Sequence, residues 1–414
     1  MRLMLSFAAL FLAVVFLQLS SGAVAPLDAL SGLVLNFSNA EIGILGSAHF
    51  LGFLIGCWLA PRILGSVGHS RAFAAFTGMG IIGILGHVLT VDPMAWAALR
   101  VALGLCIAGC FTVLEAWLQA KVTNANRGKV MGFYRMADQG AALMAQLMIT
   151  VLEPGHYTAY TILALFCAAA LFPLTLTTVR QPAIPKAPAL HPLMAWSRSP
   201  LAVAGVLVAA LSASSFRMVG PVYGTGVGLD TNEIAFFLAA FVAGGAAAQV
   251  PVGWLADRYD RRWVLIWASV ASIASCGITA LAGGLPTWGI MATAALFGLT
   301  TFPIFSVAAA HAHDFAQPEE RVELSAALMF WFAMGAIAAP YTASVLIDSF
   351  GPPALFAMIA VGHAGLVIFG LIRMRARPPS DTRTRFAVAP RTSFIIGRLT
   401  GRQRDADNKP DSDG

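Results

Sequence analysis

Three arginines, Arg100, Arg135 and Arg217, stand inside long apolar stretches of this 414-residue chain. A charge at the centre of a bilayer costs about 2.5–3.5 kcal/mol on insertion scales, so one retained there is a candidate for function. Arg100 is suited to hold an anionic group or to partner a titrating acid in a proton relay; the plainer alternative is an arginine snorkelling to the interface. Arg217 shares a helical face with Ser214 and Pro221 and is a candidate anion-binding group, or else the partner of a distant carboxylate. Glu115 follows Arg100 by fifteen residues, about 22 Å along a helix axis, on a face with Thr112 and Gln119. Arg135 precedes Asp138 by three residues and Gln139 by four, spacings at which helical side chains meet. Glu115, Arg135 and Asp138 form the densest charged group in the chain. They fit either a structural ion-pair network or an acid that takes up and releases a proton.

Uncharged polar residues inside apolar runs extend the set. Gln18 and Ser21 share a helical face, and with His49, Gln249, Arg100 and Arg217 they are candidates to line a cavity. His49 can titrate near neutrality, whereas His87 and His363 read as core or interface histidines. His311, His313 and Asp314 sit at a helix end, where a gate contact is favoured over metal chemistry. The five cysteines, Cys57, Cys106, Cys110, Cys167 and Cys276, lack metal-like spacing and read as apolar packers. The sequence has no H-E-x-x-H or G-x-S-x-G pattern. No catalytic residue, metal or cofactor is expected, and the chain is read as not an enzyme.

The elements that must position these residues follow from composition. The chain is 58% hydrophobic and 11% charged, against about 25% charged in soluble domains. Twelve stretches are long and apolar enough to span a bilayer, the first at 4–26, the fifth at 129–152 and the last at 353–373. Unpaired backbone in lipid is costly, so these must be helices. All but Arg100, Arg135 and Arg217 of the 26 basic residues lie in alternate connecting segments or the tail, while the opposite loops carry Asp28, Asp92, Glu153, Asp230 and Asp348. This positive-inside pattern predicts both termini in the cytoplasm of a multi-pass protein of the bacterial inner membrane. It also explains the net charge of +6 without nucleic acid.

The halves of the chain repeat. Residues 39–45, NAEIGIL, match 231–237, TNEIAFF, and the same offset pairs Gly52 with Gly244. LGLCIAGCFTV at 103–113 matches FGLTTFPIFSV at 297–307. Six helices and six more, joined by the Pro-rich RQPAIPKAPALHP, are expected. The domains are then an N-terminal bundle at 1–179, a cytoplasmic linker at 180–199, a C-terminal bundle at 200–373 and a disordered cytoplasmic tail at 374–414. Ala23-Val24-Ala25 before Pro26 outlines a leader cleavage site. Removing that run would leave five helices facing six, so it is read as the first span.

One loop is distinctive. GWLADRYDRR, from Gly253 to Arg262, puts Asp257 and Asp260 among Arg258, Arg261 and Arg262 at a helix end. It resembles the signature loop of the major facilitator superfamily, and Arg100-x-x-x-Gly104-x-x-x-Ala108 resembles a second motif of that family. LAPRILGSVGHSRAF, FTVLEAWLQAKVTNANRGKVMGFY and AAAHAHDF are similar to its YcaD-like branch. The resemblance implies an all-α membrane protein of twelve transmembrane helices in two pseudo-symmetric bundles. It implies a secondary transporter moving a small molecule by alternating access, with a passive uniporter or a transport-like membrane receptor or assembly protein as alternatives; proton coupling is a separate hypothesis resting on Glu115, Asp138 and Arg100. Gly253, Asp257, Arg258, Arg261 and Arg262 would form the gate. Two departures stand out: Gly65 replaces the acid in the first half, and Asp260 replaces the usual glycine in the second. Membrane lipids are expected partners, the basic start of the tail tracking anionic headgroups.

Overall fold

The computed structural model describes residues 2–123, 126–176, 190–376, 386 and 392–393. Fifteen α-helices and three short 3-10 turns make up the architecture, with no strand among the described residues. The first half holds α1 (Arg2–Val34), α2 (Asn39–Val67), α3 (His69–Leu89), α4 (Pro93–Lys121), α5 (Arg127–Leu147) and a sixth span broken into α6 (Tyr157–Ala169) and α7 (Leu171–Thr175). A short α8 (Pro192–Arg198) leads into the second half. That half holds α9 (Pro200–Gly226), α10 (Thr231–Arg258), α11 (Arg261–Ala280), a span broken into α12 (Thr287–Thr301) and α13 (Ile304–His313), then α14 (Arg321–Phe350) and α15 (Ala354–Ala376). Eleven of these spans are long and apolar enough to cross a membrane. The twelfth, α5, has 21 residues and is more polar, carrying Arg127, Lys129, Arg135 and Asp138.

The repeat has a structural cause. Glu41 and Glu233, the shared acids of the two matching stretches, close capping boxes with Ser38 and Asp230 at the starts of α2 and α10. Gly52 and Gly104 let α2 and α4 cross backbone to backbone. A Cβ on Gly52 would lie 1.9 Å from the Val101 carbonyl oxygen, and one on Gly104 1.9 Å from that of His49. In the second half Gly244 and Gly298 do the same for α10 and α12, against the carbonyl oxygens of Ala295 and Phe241 at 2.0 Å each. Only glycine permits such approaches.

The halves meet through α1 with α9, α2 with α14 and α5 with α10. At the end bearing the acidic loops they are sealed. Asn39 Nδ2 donates to Asp348 Oδ1 at 2.6 Å, Gly43 abuts Pro340 and Ser344, and Gly46 abuts Met218 and Pro340.

One expectation needs correction. The first span does not end at residue 26: α1 continues through Pro26 to Val34, so Asp28 is a fully buried intramembrane residue and not a loop acid. Within the linker, Pro192 at the first helical position starts α8, and Trp331 Nε1 donates to the Pro192 carbonyl at 3.0 Å; residues 180–189 lie outside the described residues. In the tail, α15 runs to Ala376, and Phe386, Thr392 and Ser393 are set against the bundle, Ser393 fully buried; the rest of the segment expected to be disordered lies outside the described residues.

Candidate functional site

Arg100 sits seven residues into α4, whose start is fixed by Asp92 accepting from the Ala95 amide at 2.7 Å with Pro93 at the first helical position. Its side chain is buried and points to α1, where Arg100 Nε lies 3.5 Å from Asp28 Oδ2 and 3.4 Å from the Leu45 carbonyl oxygen. Two further helices close around Asp28. Tyr160 on α6 donates its hydroxyl to Asp28 Oδ1 at 3.0 Å. His87 Nε2 on α3 is 3.6 Å from Oδ2, and its ring stacks on Tyr160 at 5.2 Å between centroids. His87 Nδ1 is 2.7 Å from the Gly83 carbonyl oxygen. That contact fixes the ring, with Nδ1–H donating and Nε2 turned to the carboxylate.

Asp28, His87 and Tyr160 are thus the members that sequence reading missed. A positive-inside count assigned Asp28 to a loop, and a lone histidine carries no signal by itself. The available clue was Pro26, which helices tolerate in membranes, so it need not have marked an end.

A second group lies at the junction of the halves. Gln18 Nε2 on α1 donates to Asp138 Oδ1 on α5 at 2.5 Å. Asp138 lies in the electrostatic field of Arg217, on α9 of the other half, and of Arg135. Arg217 also feels Arg100, and both arginines act on His49. Arg217 is exposed although seventeen residues into its helix. Since the acidic-loop end is sealed above it, its side chain opens on the space between the halves. His49 is half-buried with Nδ1 unpartnered, and Gln249 likewise keeps a buried, unpartnered Oε1. Ser21 is half-buried one turn from Gln18. Phe216 and Tyr223 serve in packing: both are buried, and the Phe216 ring lies tilted against Phe241 at 4.3 Å.

Glu115 is fully buried near the opposite, basic end. It accepts from the Tyr134 hydroxyl at 3.1 Å and from the hydroxyls of Thr392 and Ser393. Asp138 is hydrogen-bonded to Gln18 and not to Glu115, while Arg135 acts electrostatically on both acids, so the three remain one charged group.

The Gly253–Arg262 loop is organised by Arg261. This buried guanidinium donates to Asp314 Oδ1 at 2.6 Å, to the Ala310 carbonyl oxygen at 3.0 Å and to Asp257 Oδ1 at 3.4 Å, tying α10, α11 and α13 together. Asp257 also accepts from the Phe386 amide at 2.5 Å, and the Phe386 ring covers Gly253. Arg258 stacks over Trp254 at 5.5 Å. Asp260, the departure from the family pattern, caps α11: it accepts from the Arg262 amide at 3.0 Å and from the Arg262 guanidinium at 2.6 Å. In the first half the same position is Gly68, at φ 82° and without a side-chain cap. His313 Nε2 is 3.1 Å from the Ser325 hydroxyl, and no metal-binding group of His, Cys, Asp or Glu occurs among the described residues.

The sequence profile of the Major Facilitator Superfamily matches residues 5–233 and 201–404. The chain belongs to this superfamily. Relatives include an uncharacterized MFS-type transporter of Yersinia pestis (strain Pestoides F), 25% identical over 84% of this chain and 89% of that protein. The uncharacterized MFS-type transporter YcaD of Escherichia coli O7:K1 is 26% identical over 78% and 84%. Among solved structures, the nucleoside transporter NupG superposes with a TM-score of 0.74 at 15% identity, covering 89% of this chain and 98% of its own. A D-xylose–proton symporter gives 0.69 at 12% identity, over 91% and 98%. These likenesses establish the fold of this superfamily member as a multi-pass membrane protein of the transporter class.

Proposed function

We propose that the protein is a proton-coupled secondary transporter that moves a small polar solute across a bacterial inner membrane by alternating access. The halves, 1–179 and 200–373, would rock about the site between them. The observation that carries this reading is Arg217: an exposed arginine deep in α9, facing Asp138 across the junction beneath a sealed acidic-loop end. Basic loops favour the cytoplasm, so both termini lie there and this arrangement is inward-facing. Arg217 would hold an anionic or strongly accepting group of the solute, with Gln18 and Asp138 supplying hydrogen bonds and His49, Ser21 and Gln249 completing the lining; Arg100, buried against Asp28, lies behind it. The Arg261 network would stiffen the gate end of the second half.

Asp28 is the better coupling acid. Its cationic partner Arg100 and its hydroxyl donor Tyr160 come from different helices, so a shift of α4 against α1 would part the ion pair while the Tyr160 hydrogen bond stays. Asp138 is the second acid within reach of the solute, while Glu115, held by three hydroxyls, acts structurally.

A thermal-shift screen of polar solutes on purified protein, followed by transport in proteoliposomes, tests the reading. A solute that stabilises the wild type but not Arg217→Ala, and whose uptake moves protons, is the expected result. Equal stabilisation of both proteins would move the site elsewhere, and uptake without proton movement would favour a uniporter.

A further inference from the structure

Two carboxylates at the basic end, one on each half, are met by groups from beyond the last span. On the first half, Glu115 of α4 is fully buried, and both its oxygens are taken. Oε1 accepts from the Tyr134 and Thr392 hydroxyls, and Oε2 from the Ser393 hydroxyl. Of these donors Tyr134 alone belongs to the bundle, on α5. The same face of α4 keeps two more buried polar atoms without a hydrogen-bond partner, Thr112 Oγ1 and Gln119 Oε1, one turn to either side of Glu115. The face is therefore more polar than its own bundle satisfies, and an unsatisfied buried polar group is costly. On the second half, Asp257 at the end of α10 accepts from the Phe386 amide at 2.5 Å. The Phe386 ring lies on Gly253, where a Cβ would come within 2.7 Å of Cδ1. Phe386 and Thr392 are six residues apart, a reach of at most about 20 Å. Packing that only tidied a chain end would need one half; these contacts fall on both, across the junction that alternating access must close.

We propose that the C-terminal tail is a self-inhibiting strap: Phe386 on the second half, with Thr392 and Ser393 on the first, props the basic end open, and closure of that end requires their release. The proposal rests on the alternating-access reading. Closing the basic end brings the end of α10 toward α4 and α5, and the three tail residues occupy the surfaces that would meet. Neither contact is strong by itself. Joined in one chain, each raises the effective concentration of the other, so the pair holds where a single one would not. The fastening is also reversible. Its donors are hydroxyls and an amide rather than cations, so release parts no ion pair, and water takes their places at the carboxylates.

The test is the distance between spin labels on the full chain, placed by Lys129→Cys and Tyr259→Cys at exposed positions where α5 starts and α10 ends; the five native cysteines are buried. The otherwise unaltered protein should give one long distance. Thr392→Val with Ser393→Ala should add a shorter one, shifting the ratio on the order of tenfold toward a closed basic end, as for lost hydrogen bonds to a charged group. Phe386→Ala should shift it in the same direction. Gly46→Trp is the control. A Cβ there already meets Met218 and Pro340 at 2.8 Å, so a large side chain wedges the sealed end apart without touching the tail. Should it not yield folded protein, Asn39→Ala, which removes the 2.6 Å bond to Asp348, loosens the same end. A shorter distance in the control but not in both tail variants would overturn the strap and leave alternating access standing. Its absence from control and tail variants alike would overturn both. Amide exchange gives an independent reading. Exchange at Phe386 should speed up in Thr392→Val with Ser393→Ala, because one contact holds the other. Unchanged exchange would show that the tail does not bridge the halves, and the proposal would fall.

Discussion

Asp28 on α1 and Arg100 on α4 face each other at 3.5 Å with side chains 0% and 3% exposed, inside a shell completed by His87 and Tyr160. Removing one member of a buried pair strands the other charge, at a cost of about 3–5 kcal/mol. Asp28→Asn keeps an acceptor for Tyr160 and loses the charge. It should lower the unfolding temperature markedly, as should Arg100→Gln. The double variant should recover part of the loss, because neither charge is then left alone. Additive losses in that double-mutant cycle would show that the two residues do not act as a pair.

The glycine crossings make a sharper demand. Gly52→Ala and Gly244→Ala each place a methyl group about 2 Å from a backbone carbonyl oxygen, where no rotamer gives relief. Both variants should lose most of their monodisperse yield after extraction. Gly65→Ala, in open space, should match the wild type. Normal yield from Gly52→Ala would mean that α2 and α4 do not cross as closely as described.

Much of this was legible beforehand. Apolar length revealed the spans, and the offset repeats at Gly52/Gly244 and Gly104/Gly298 were visible before their reason was. The reason, backbone contact between crossing helices, is a relation between distant residues that no local pattern encodes. Arg100 was found because a charge in an apolar run stands out. Asp28 was not, because an acid two residues after a proline at a span's edge looks like a loop. Glu115 and Asp138 were grouped by sequence proximity with Arg135, which does act on both; the partners that proximity could not reveal are Ser393 for one and Gln18 for the other. Asp260 read only as a departure from the family pattern, an acid for the usual glycine, and is a helix cap.

Arg261 should be the least replaceable residue of the Gly253–Arg262 loop. Its loss removes the 2.6 Å hydrogen bond to the 4% exposed Asp314 side chain and the side-chain donor to the Ala310 carbonyl oxygen, which then keeps only the Asp314 amide. Arg261→Ala should therefore destabilise by about 3–5 kcal/mol. Arg258→Ala, which loses a stacking contact with an exposed tryptophan, should cost less than about 1 kcal/mol. Thermal unfolding of both variants in one detergent compares them directly. Similar losses would contradict the central place given to Arg261.

The approach to α14 should respond to acid. Arg198, the last residue of α8, donates to Glu320, and this hydrogen bond is the main reason the Glu320 carboxyl lies below its ordinary value, aided by the Gln317 amide and opposed by burial. A carboxyl whose folded value is depressed contributes its stability above the unfolded value, about 4.3, and loses it as pH falls through the folded one. The side chains are 41% and 24% exposed, so solvent screening limits the pair to roughly 0.2–1 kcal/mol. That is too little to unfold the bundle and enough to loosen a seven-residue helix. Amide exchange across 192–198, corrected for its intrinsic pH dependence, should thus be slow at pH 6 and speed up below about pH 4. Glu320→Gln should exchange fast at both. If the wild type and Glu320→Gln respond to acid alike, α8 is held by Trp331 and its packing alone.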